Sequence, residues 1–379
     1  MANNNENKIL NVPNLRFPEF SGEWEMSSIG EQFELYSGNT PSRMNKNQFD
    51  GSINWITSGE LKEHYISDTK EKISEEAAKN NSLKLLPVGT FVIAIYGLEA
   101  NGVRGTCSIT TRESTISQAC MAFTSKMDIQ NEFLYSWYKK HGNIIGIKYA
   151  QGTKQQNLSY DIIERFNISY PCMEEQEKLI RFISLIDQRI ATQNKIIDKL
   201  QSLIGGIGQR LTAGKANARL MDCLTCHSST LQESQVLESG KYPVYGASGT
   251  CGYTDTPDYD GDAILIIKDG SGVGSTSFVT GKYSVIGTLN VLKPKKDVST
   301  HYLYYSLKSF NFSPYRIGLA IPHIYFKDYG KATIWLPSNE EQRRRARLLS
   351  LIDTKISAER NILDMLAKQK AYLLSAMFI

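Results

Sequence analysis

The stretch Pro171-Cys172-Met173-Glu174-Glu175-Gln176 returns later in the chain as Pro337-Ser338-Asn339-Glu340-Glu341-Gln342. A shift of 166 positions places residues 168–211 on residues 334–377 without a gap, and fourteen of the forty-four aligned positions are identical. The identities include the run Ser184–Asp187, which falls on Ser350–Asp353. A repeat with so long a period is typical of a duplicated module and not of the short units of a solenoid.

Both repeats carry the period of a long amphipathic helix. Apolar residues recur in them at three- and four-residue steps, and the acidic pair at each start is favourable in a first helical turn. About forty residues at 1.5 Å per residue would make a rod of roughly 60 Å. We therefore expect the two apolar stripes to pair as an intramolecular two-stranded coiled coil, although two separate helices, each packed on its own domain, remain an alternative. The positions assigned to this helix and subunit interface are Ile183, Ile186, Ile190, Ile197, Leu200, Leu349, Ile352, Ile356, Leu363 and Leu366.

The segments outside the two helices indicate two α+β domains. Short β-like runs at 53–57, 90–96 and 119–124 alternate with helical patterns at 70–83 and 133–140, which is typical of an irregular, mainly antiparallel sheet. The second half repeats this order in shortened form. The sequence thus predicts a first domain at 1–170, a first long helix at 171–213, a second domain at 214–336 and a second long helix at 337–379. Glycines at 205, 206 and 208 weaken the case for a straight helix beyond Ile204.

Composition places the chain among ordinary globular proteins. Its 379 residues are 41% hydrophobic and 22% charged, and a net charge of +4 permits a nucleic-acid partner without requiring one. Residues 1–8 lack the apolar region of a secretory signal, and no apolar run reaches membrane-spanning length. We therefore expect a cytoplasmic protein with no membrane partner, whose six cysteines are reduced.

Basic and amide side chains occur in loops at matching places in the two predicted domains. Lysine and arginine can neutralise DNA phosphates, whereas asparagine and glutamine can pair with the adenine edge in the major groove. The 166-residue shift places His323 on Asn157, and a histidine there could contact a purine or a phosphate. Singly, each is more often a solvated loop residue, but their recurrence favours DNA binding. The candidate DNA-binding residues are Arg43, Lys46, Arg104, Lys154, Gln155, Gln156, Asn157, Lys268, Arg316, His323 and Lys327.

Three further patterns suggest chemistry less strongly. Cys223-Leu224-Thr225-Cys226-His227 has the spacing of a c-type haem attachment or of half a zinc site, but haem attachment requires export and zinc requires a second ligand pair. Asp50, Glu60 and Lys62 stand in the order of a metal-dependent nuclease site, a spacing that is also common on solvated surfaces. The glycines at 270, 272 and 274 do not fit a dinucleotide-binding loop. We therefore predict no catalytic and no metal-binding residues in this chain.

Several stretches together resemble a known family. The segments Leu15–Trp24, Trp55–Leu61 and Tyr242–Gly249 and the two Pro-x-x-Glu-Glu-Gln helices are similar to the specificity (S) subunits of type I restriction-modification systems. The resemblance covers nearly the whole chain, and the repeated helix is its most specific part. The chain departs from the family in the glycines of its first helix and in the absence of a doubled proline before that helix.

The resemblance implies two target-recognition domains, each reading one half of a bipartite double-stranded DNA sequence, held apart by paired helices. It also implies that the helices dock two methyltransferase subunits and, through them, restriction-translocation subunits. S-adenosylmethionine, ATP and Mg²⁺ would be bound by those partners, and this chain would be a non-catalytic subunit with no cofactor. Two other classes stay open: a coiled-coil tether for proteins, without salt-dependent DNA binding, and a nuclease that cleaves DNA alone with Mg²⁺.

Overall fold

The computed structural model describes residues 10–97, 105–126, 128–149 and 156–379, with only the backbone of Gln156. The chain divides into two compact units. The first unit combines Met1–Thr192 with Leu363–Ile379, and the second unit is Gln193–Ile362. Within the described ranges, no helix has both the length and the apolar character needed to cross a membrane.

The first unit consists of short strands with helices between them. Its strands are β1 (Glu25–Ser28), β2 (Phe33–Ser37), β3 (Ile53–Ile56), β4 (Tyr65–Ile66), β5 (Lys72–Ile73), β6 (Phe91–Ala94), β7 (Tyr96–Gly97), β8 (Cys107–Thr110), β9 (Ser114–Ile116), β10 (Cys120–Ser125), β11 (Gln156–Asn157) and β12 (Asn167–Tyr170). Its helices are α1 (Ile29–Gln32), α2 (Glu75–Asn80), α3 (Asn131–Tyr149), α4 (Tyr160–Glu164) and the first part of α5 (Met173–Thr212). The helix predicted at 70–83 is therefore shorter than expected, and the one predicted at 133–140 is longer.

A five-stranded sheet of order β2-β10-β6-β8-β4 forms the centre of the first unit. Its strand β6 is buried on both faces. Phe91 and Ile93 belong to the apolar cluster that contains the α3 residue Phe133, whereas Val92 and Ala94 belong to a second cluster. This split follows from the alternation of side chains along a strand. The smaller sheets of the unit are β1-β12, β7-β11 and β5-β3-β9.

The second unit contains the remaining elements. Its strands are β13 (Ala218–Arg219), β14 (Leu224–Ser228), β15 (Tyr242–Gly246), β16 (Gly249–Thr254), β17 (Tyr259–Asp260), β18 (Ala263–Ile267), β19 (Thr276–Val279), β20 (Lys282–Val285), β21 (Leu289–Pro294) and β22 (Thr333–Ile334). Its helices are the end of α5, α6 (Leu220–Cys223), α7 (Thr300–Lys308), α8 (Phe326–Tyr329) and most of α9 (Asn339–Met377).

The central sheet of the second unit repeats the plan of the first. Its order is β14-β21-β18-β19, and β18 is again divided between two apolar clusters, with Ile264 and Ile266 in one and Ala263 and Leu265 in the other. A second sheet, β16-β15-β20-β17, and the pair β13-β22 complete the unit. The strand pairs β3-β9, β4-β8 and β15-β20 are parallel and the others are antiparallel. The predicted α+β class with mainly antiparallel sheets is confirmed.

The two predicted long helices are present, as α5 with 40 residues and α9 with 39. The glycines at 205, 206 and 208 do not end the first helix, because α5 continues through them to Thr212. Ile204 shares an apolar cluster with Leu349 and Ile356, against which Ile207 and Leu211 also pack. Burial of this apolar face offsets the roughly 1 kcal/mol that each glycine costs in a helix.

Candidate nucleic-acid interface

Two loops of the second unit, residues 268–274 and 316–325, lie against each other. The backbone of His323 pairs with that of Asp269 and of Ile317. The Ile324 amide donates to the carbonyl of Lys268 at 3.0 Å, and the Gly270 amide donates to that of Pro322 at 2.9 Å. The structure thus brings Lys268 and His323, two residues predicted to bind DNA, into one loop cluster.

The basic side chains of this loop cluster differ in whether other groups of the protein already occupy their hydrogen-bond donors. Lys268 Nζ lies 2.7 Å from a carboxylate oxygen of Asp269. The Arg316 guanidinium donates from Nη2 to the Val273 carbonyl at 2.8 Å, which leaves its other donors for a ligand. Exposed Lys327 lies over the ring of Tyr325, which in turn contacts the ring of His323. A phosphate would thus meet Arg316 and Lys327 more readily than Lys268.

The first unit has a corresponding pair of segments. Strand β11 pairs with β7 through Gln156 with Gly97 and Asn157 with Tyr96, at the place where His323 pairs with Asp269 in the second unit. Asn157 is exposed. Arg104, Lys154 and Gln155 lie outside the described residues, as does the side chain of Gln156.

Arg43, a further candidate for DNA binding, is exposed but already has partners within the protein. Its Nη2 donates to Glu71 at 2.9 Å, and its guanidinium lies 4.8 Å from the ring centre of Phe49 and 5.5 Å from that of Trp55. The hydrogen bond from Arg43 lowers the pKa of Glu71. A phosphate would have to displace this carboxylate, whereas neighbouring Lys46 is exposed.

A buried glutamine joins each long helix to the domain before it. Gln176 accepts from the Gln130 amide at 3.0 Å and donates to the Asp128 and Pro171 carbonyls at 2.6 and 3.0 Å. In the second unit, Gln342 accepts from the Ser299 amide and donates to the Pro337 carbonyl, both at 2.9 Å. Since Gln130 and Ser299 directly precede helices α3 and α7, the glutamine fixes the long helix to an equivalent point in both units.

The glutamate before each glutamine is used differently in the two units. Glu175 is 1% exposed and accepts two hydrogen bonds from Arg16, at 2.8 and 2.7 Å. These hydrogen bonds raise the pKa of Arg16. Glu341 is partly exposed and instead accepts from Arg345 of its own helix at 3.1 Å. The first helix is thus also tied to the segment at residue 16.

In the first unit, the start of α5 contacts the end of α9. Ile183 and Ile186 belong to the apolar cluster that contains Leu373. Asp187 forms an ion pair with Lys370. Among the other predicted interface positions of this unit, Leu366 is buried and Ile190 and Leu363 are partly buried.

In the second unit, the end of α5 and the start of α9 run antiparallel. Arg345 donates to the Leu211 carbonyl and Gln193 donates to the Glu359 carbonyl, both at 3.1 Å. The start of α9 thus lies beside the end of α5, and later residues of α9 lie beside earlier residues of α5. Gln193 and Glu359 hold equal positions in the two repeats. Of the predicted interface residues here, Leu349 and Ile356 share an apolar cluster with partly buried Leu200 and Ile352, and Ile197 is buried as well.

The weaker chemical patterns have structural roles. Glu60 accepts from the Thr57 amide and hydroxyl at 2.9 and 2.8 Å and from the Lys70 amide at 2.7 Å, so both carboxylate oxygens fix the loop. Asp50 and Lys62 are exposed. In the part of the chain that the structure describes, no cluster of three or more His, Cys, Asp or Glu side chains could hold a metal ion.

The Cys-x-x-Cys-His pattern also forms part of the packed fold. Cys223 is buried in the core of the second unit, and Cys226 packs against that core from β14. Burial raises the pKa of both thiols, that of Cys226 to about 11, which disfavours the thiolate that a metal requires. His227 contacts the hydroxyl of Thr225 at 3.3 Å.

Two features went unrecognised in the sequence. The first is the buried glutamine at 176 and 342, whose identity in both repeats is the signal in the sequence. The second feature is an exposed apolar loop at 317–321. Its signal was the contrast between Ile-Gly-Leu-Ala-Ile at 317–321 and Gln-Gly-Thr-Lys-Gln at the equivalent 151–155.

Comparison with known proteins relates most of the chain to one family. The family model of the type I restriction modification DNA specificity domain matches residues 21–202 and 220–368. The specificity subunit of the type I restriction enzyme MjaIX from Methanocaldococcus jannaschii is 29% identical over 185 residues, which are 47% of this chain and 42% of that subunit. The EcoprrI specificity subunit from Escherichia coli is 22% identical over 371 residues, 88% of each chain. The match thus spans less than half of the first relative and most of the second.

Solved structures share the fold. The crystal structure of a type I restriction-modification S subunit from M. genitalium superposes with a TM-score of 0.62 at 17% identity, over 97% of this chain and 99% of that one. A chain from a study of complex assembly and conformational transition of the type I R-M system gives 0.59 at 16% identity, over 93% and 96%. At such identities the likeness establishes the fold alone.

Proposed function

This chain belongs to the family of type I restriction-modification DNA specificity domains, and from that premise we propose that it selects the DNA target of such a system. Each unit binds one half of a bipartite double-stranded sequence. The loops flanking β7 and β11 serve in the first unit, and loops 268–274 and 316–325 serve in the second. Phosphate contacts position each unit, and contacts to base edges specify the sequence.

One observation carries this proposal: the two units share one plan and pair their backbone segments at the same place in it. In the first unit β7 pairs with β11, and in the second unit Asp269 pairs with His323. Arg316 and Lys327 supply positive charge in the second unit, and Asn157 supplies an amide in the first. Two DNA-recognition domains of the same plan would suit a target sequence that consists of two half-sites.

The long helices act as the spacer in this proposal. Helices α5 and α9 hold 40 and 39 residues, which correspond to roughly 60 Å each. Their length sets the number of unread base pairs between the half-sites, as the geometry of a dimer sets half-site spacing in other DNA-binding proteins. The glutamines at 176 and 342 support a fixed spacing, since each holds its helix to the adjoining domain.

The chemistry belongs to partners under this proposal. Two methyltransferase subunits dock on the long helices, and restriction-translocation subunits join through them. S-adenosylmethionine, ATP and Mg²⁺ are bound by those subunits, while this chain contributes recognition without catalysis. The exposed apolar residues Leu185, Leu203, Leu351 and Met365 on the long helices support a docking role for these helices.

The test is to co-express the chain with the methyltransferase subunit of the same system and to map methylated adenines in genomic DNA by single-molecule sequencing. We expect a split motif, two short half-sites around a fixed run of unread bases. The methyltransferase subunit expressed without this chain is the control and should give no such motif.

Two outcomes would contradict the proposal. Methylation without a sequence motif would remove the recognition role. A stable complex that shows no salt-dependent DNA binding would favour a protein tether, because phosphate contacts make DNA binding fall steeply with salt.

A further inference from the structure

A loop of the second unit exposes three apolar side chains at alternate positions. Leu319 is fully exposed, and Ile321 and Ile317 are 69% and 50% exposed. We name residues 317–321 the apolar tip. Single exposed apolar residues are ordinary on a protein surface, but three together on one projecting loop are typical of a surface that a partner covers.

The apolar tip is held in place by its own backbone. Ile317 and His323 exchange two hydrogen bonds, at 2.9 and 2.8 Å, which close the loop at its base. Gly318 has φ of +92°, and a Cβ there would lie 2.5 Å from the Ile321 carbonyl oxygen, so only glycine fits. Pro322 restricts Ile321 to extended backbone, and its carbonyl accepts from Gly270. Because its backbone is already fixed, the apolar tip would lose little conformational entropy when it binds a partner.

The charges beside the tip favour DNA as that partner. Arg316 precedes the tip, and Lys327 and His323 follow it. The acidic residues nearby are Asp269, which is paired with Lys268, and Asp328. An apolar projection flanked by cations matches a DNA groove, where phosphates line the edges and the 5-methyl group of thymine is the apolar feature of the floor.

The equivalent loop of the first unit has the opposite chemistry. Positions 151–155 read Gln-Gly-Thr-Lys-Gln, where the second unit has Ile-Gly-Leu-Ala-Ile. Glycine is shared at 152 and 318, but the side chains that can donate hydrogen bonds are replaced by apolar ones. The two units therefore do not use the same kind of base contact.

We propose that Leu319 and Ile321 determine specificity in the second half-site through apolar contact with thymine 5-methyl groups in the major groove. The inference rests on the proposed function and adds the chemical group that is recognised. No hydrogen bond from the tip side chains takes part. Thymine is distinguished from the other bases by shape and by burial of its methyl group.

The experiment uses the complex of the full chain with its methyltransferase subunit and duplexes carrying the mapped target. Each thymine of the second half-site is replaced in turn by uracil, which lacks only the methyl group, and affinity is measured by fluorescence anisotropy. We expect at least one replacement to weaken binding about fourfold, the effect of losing one buried methyl group. The double variant Leu319→Ala, Ile321→Ala should bind thymine and uracil duplexes equally, and Leu319→Ala alone should reduce the difference. Uracil in the first half-site is the DNA control, and Val88→Ala, at an exposed position of the first unit, is the protein control.

The outcomes separate this inference from the proposed function. If the complex binds the bipartite target but no uracil replacement in the second half-site matters, the inference fails and the proposed function stands. The same holds if Leu319→Ala or Leu319→Ser binds DNA normally but no longer assembles with the methyltransferase subunit, since the tip would then be a protein contact. If the complex recognises no bipartite target, the proposed function itself fails.

Discussion

The two units repeat one arrangement of strands, helices and helix contacts, which we call the frame, but differ in the sequences of their loops. The order β2-β10-β6-β8 in the first unit corresponds to β14-β21-β18-β19 in the second, and Gln176 corresponds to Gln342. In contrast, the loop at 151–155 is polar and charged where 317–321 is apolar. The comparison indicates that packing preserves the strands, helices and glutamine contacts of the two units, while the residues at 151–155 and 317–321 are free to differ. Altering the frame and altering the loops should therefore have separable effects.

Lengthening the helices α5 and α9 should have the largest effect on the DNA target. Four residues inserted in α5 after Thr192 and four in α9 after Ile362 fall where the two units divide, and they add about one turn to both helices. We expect the methylated motif to gain about two unread base pairs, since 6 Å of helix corresponds to about two steps of 3.4 Å along DNA. Both half-sites should keep their sequences.

Methylation mapping of the variant complex checks this expectation. Four residues inserted at the exposed Ser239–Gly240 loop form the matched control and should leave the spacing unchanged. A changed half-site, with the original spacing retained, would show that the helices do not set the distance.

Removing a buried charge partner should distinguish the two helix starts. Arg16→Ala leaves the Glu175 carboxylate buried without its guanidinium, and we expect a loss of about 3 kcal/mol in the free energy of unfolding. Arg344→Ala in the second unit removes only an exposed partner of Glu341 and should cost less than about 1 kcal/mol. Urea unfolding of the purified variants measures both values. Equal losses would mean that the two glutamates are equivalent after all.

Removing the shared glutamine should affect both units to similar degrees. Gln176→Ala leaves three hydrogen-bonding groups of the backbone without their partner, and Gln342→Ala leaves two. We expect losses of about 2 kcal/mol for the first and somewhat less for the second. Gln188→Ala, at an exposed position of α5, is the control and should change stability by less than about 0.5 kcal/mol. If only one of the two substitutions lowered the free energy of unfolding, the two glutamines would not have the same structural role.

The smallest effect is expected in the polar loop. Lys154→Ala should weaken binding to all DNA sequences and lower the salt slope by about 0.9, the contribution of one phosphate contact. Leu319→Ala should leave the salt slope unchanged. Affinities measured at several salt concentrations separate the two, with Lys199→Ala on α5 as the charge-matched control. A fall in salt slope for Leu319→Ala would remove the distinction between the loops.

The repeat predicted much of the fold because its signals are local and periodic. The apolar stripes of α5 and α9 and the β-like run at 119–124 correspond to elements of the structure. The glycines of α5 misled because helix propensity is a local preference, whereas the packing of Ile204 on Leu349 is a tertiary contact.

The candidate site was less predictable for the same reason. Arg43 and Arg316 look alike in sequence, but their partners differ. The Arg43 guanidinium donates to Glu71, twenty-eight positions away, whereas that of Arg316 donates to one backbone carbonyl and keeps its other donors for a ligand. Nor does the sequence place Lys268 beside His323, which depends on hydrogen bonds between distant loops. Residue type suggests what a side chain can bind, but its neighbours decide whether it is available.

The end of α9 also constrains the order in which the chain can fold during synthesis. Leu373, Leu374, Met377 and Phe378 are buried in the core of the first unit, with the Phe378 ring 5.2 Å from that of Phe133. The second unit is a single continuous segment, Gln193–Ile362, which leaves the ribosome before these residues do. The half of the protein that is made first is therefore the last to complete its core, because Phe133 of α3 must wait for Phe378, which lies 245 positions later in the chain.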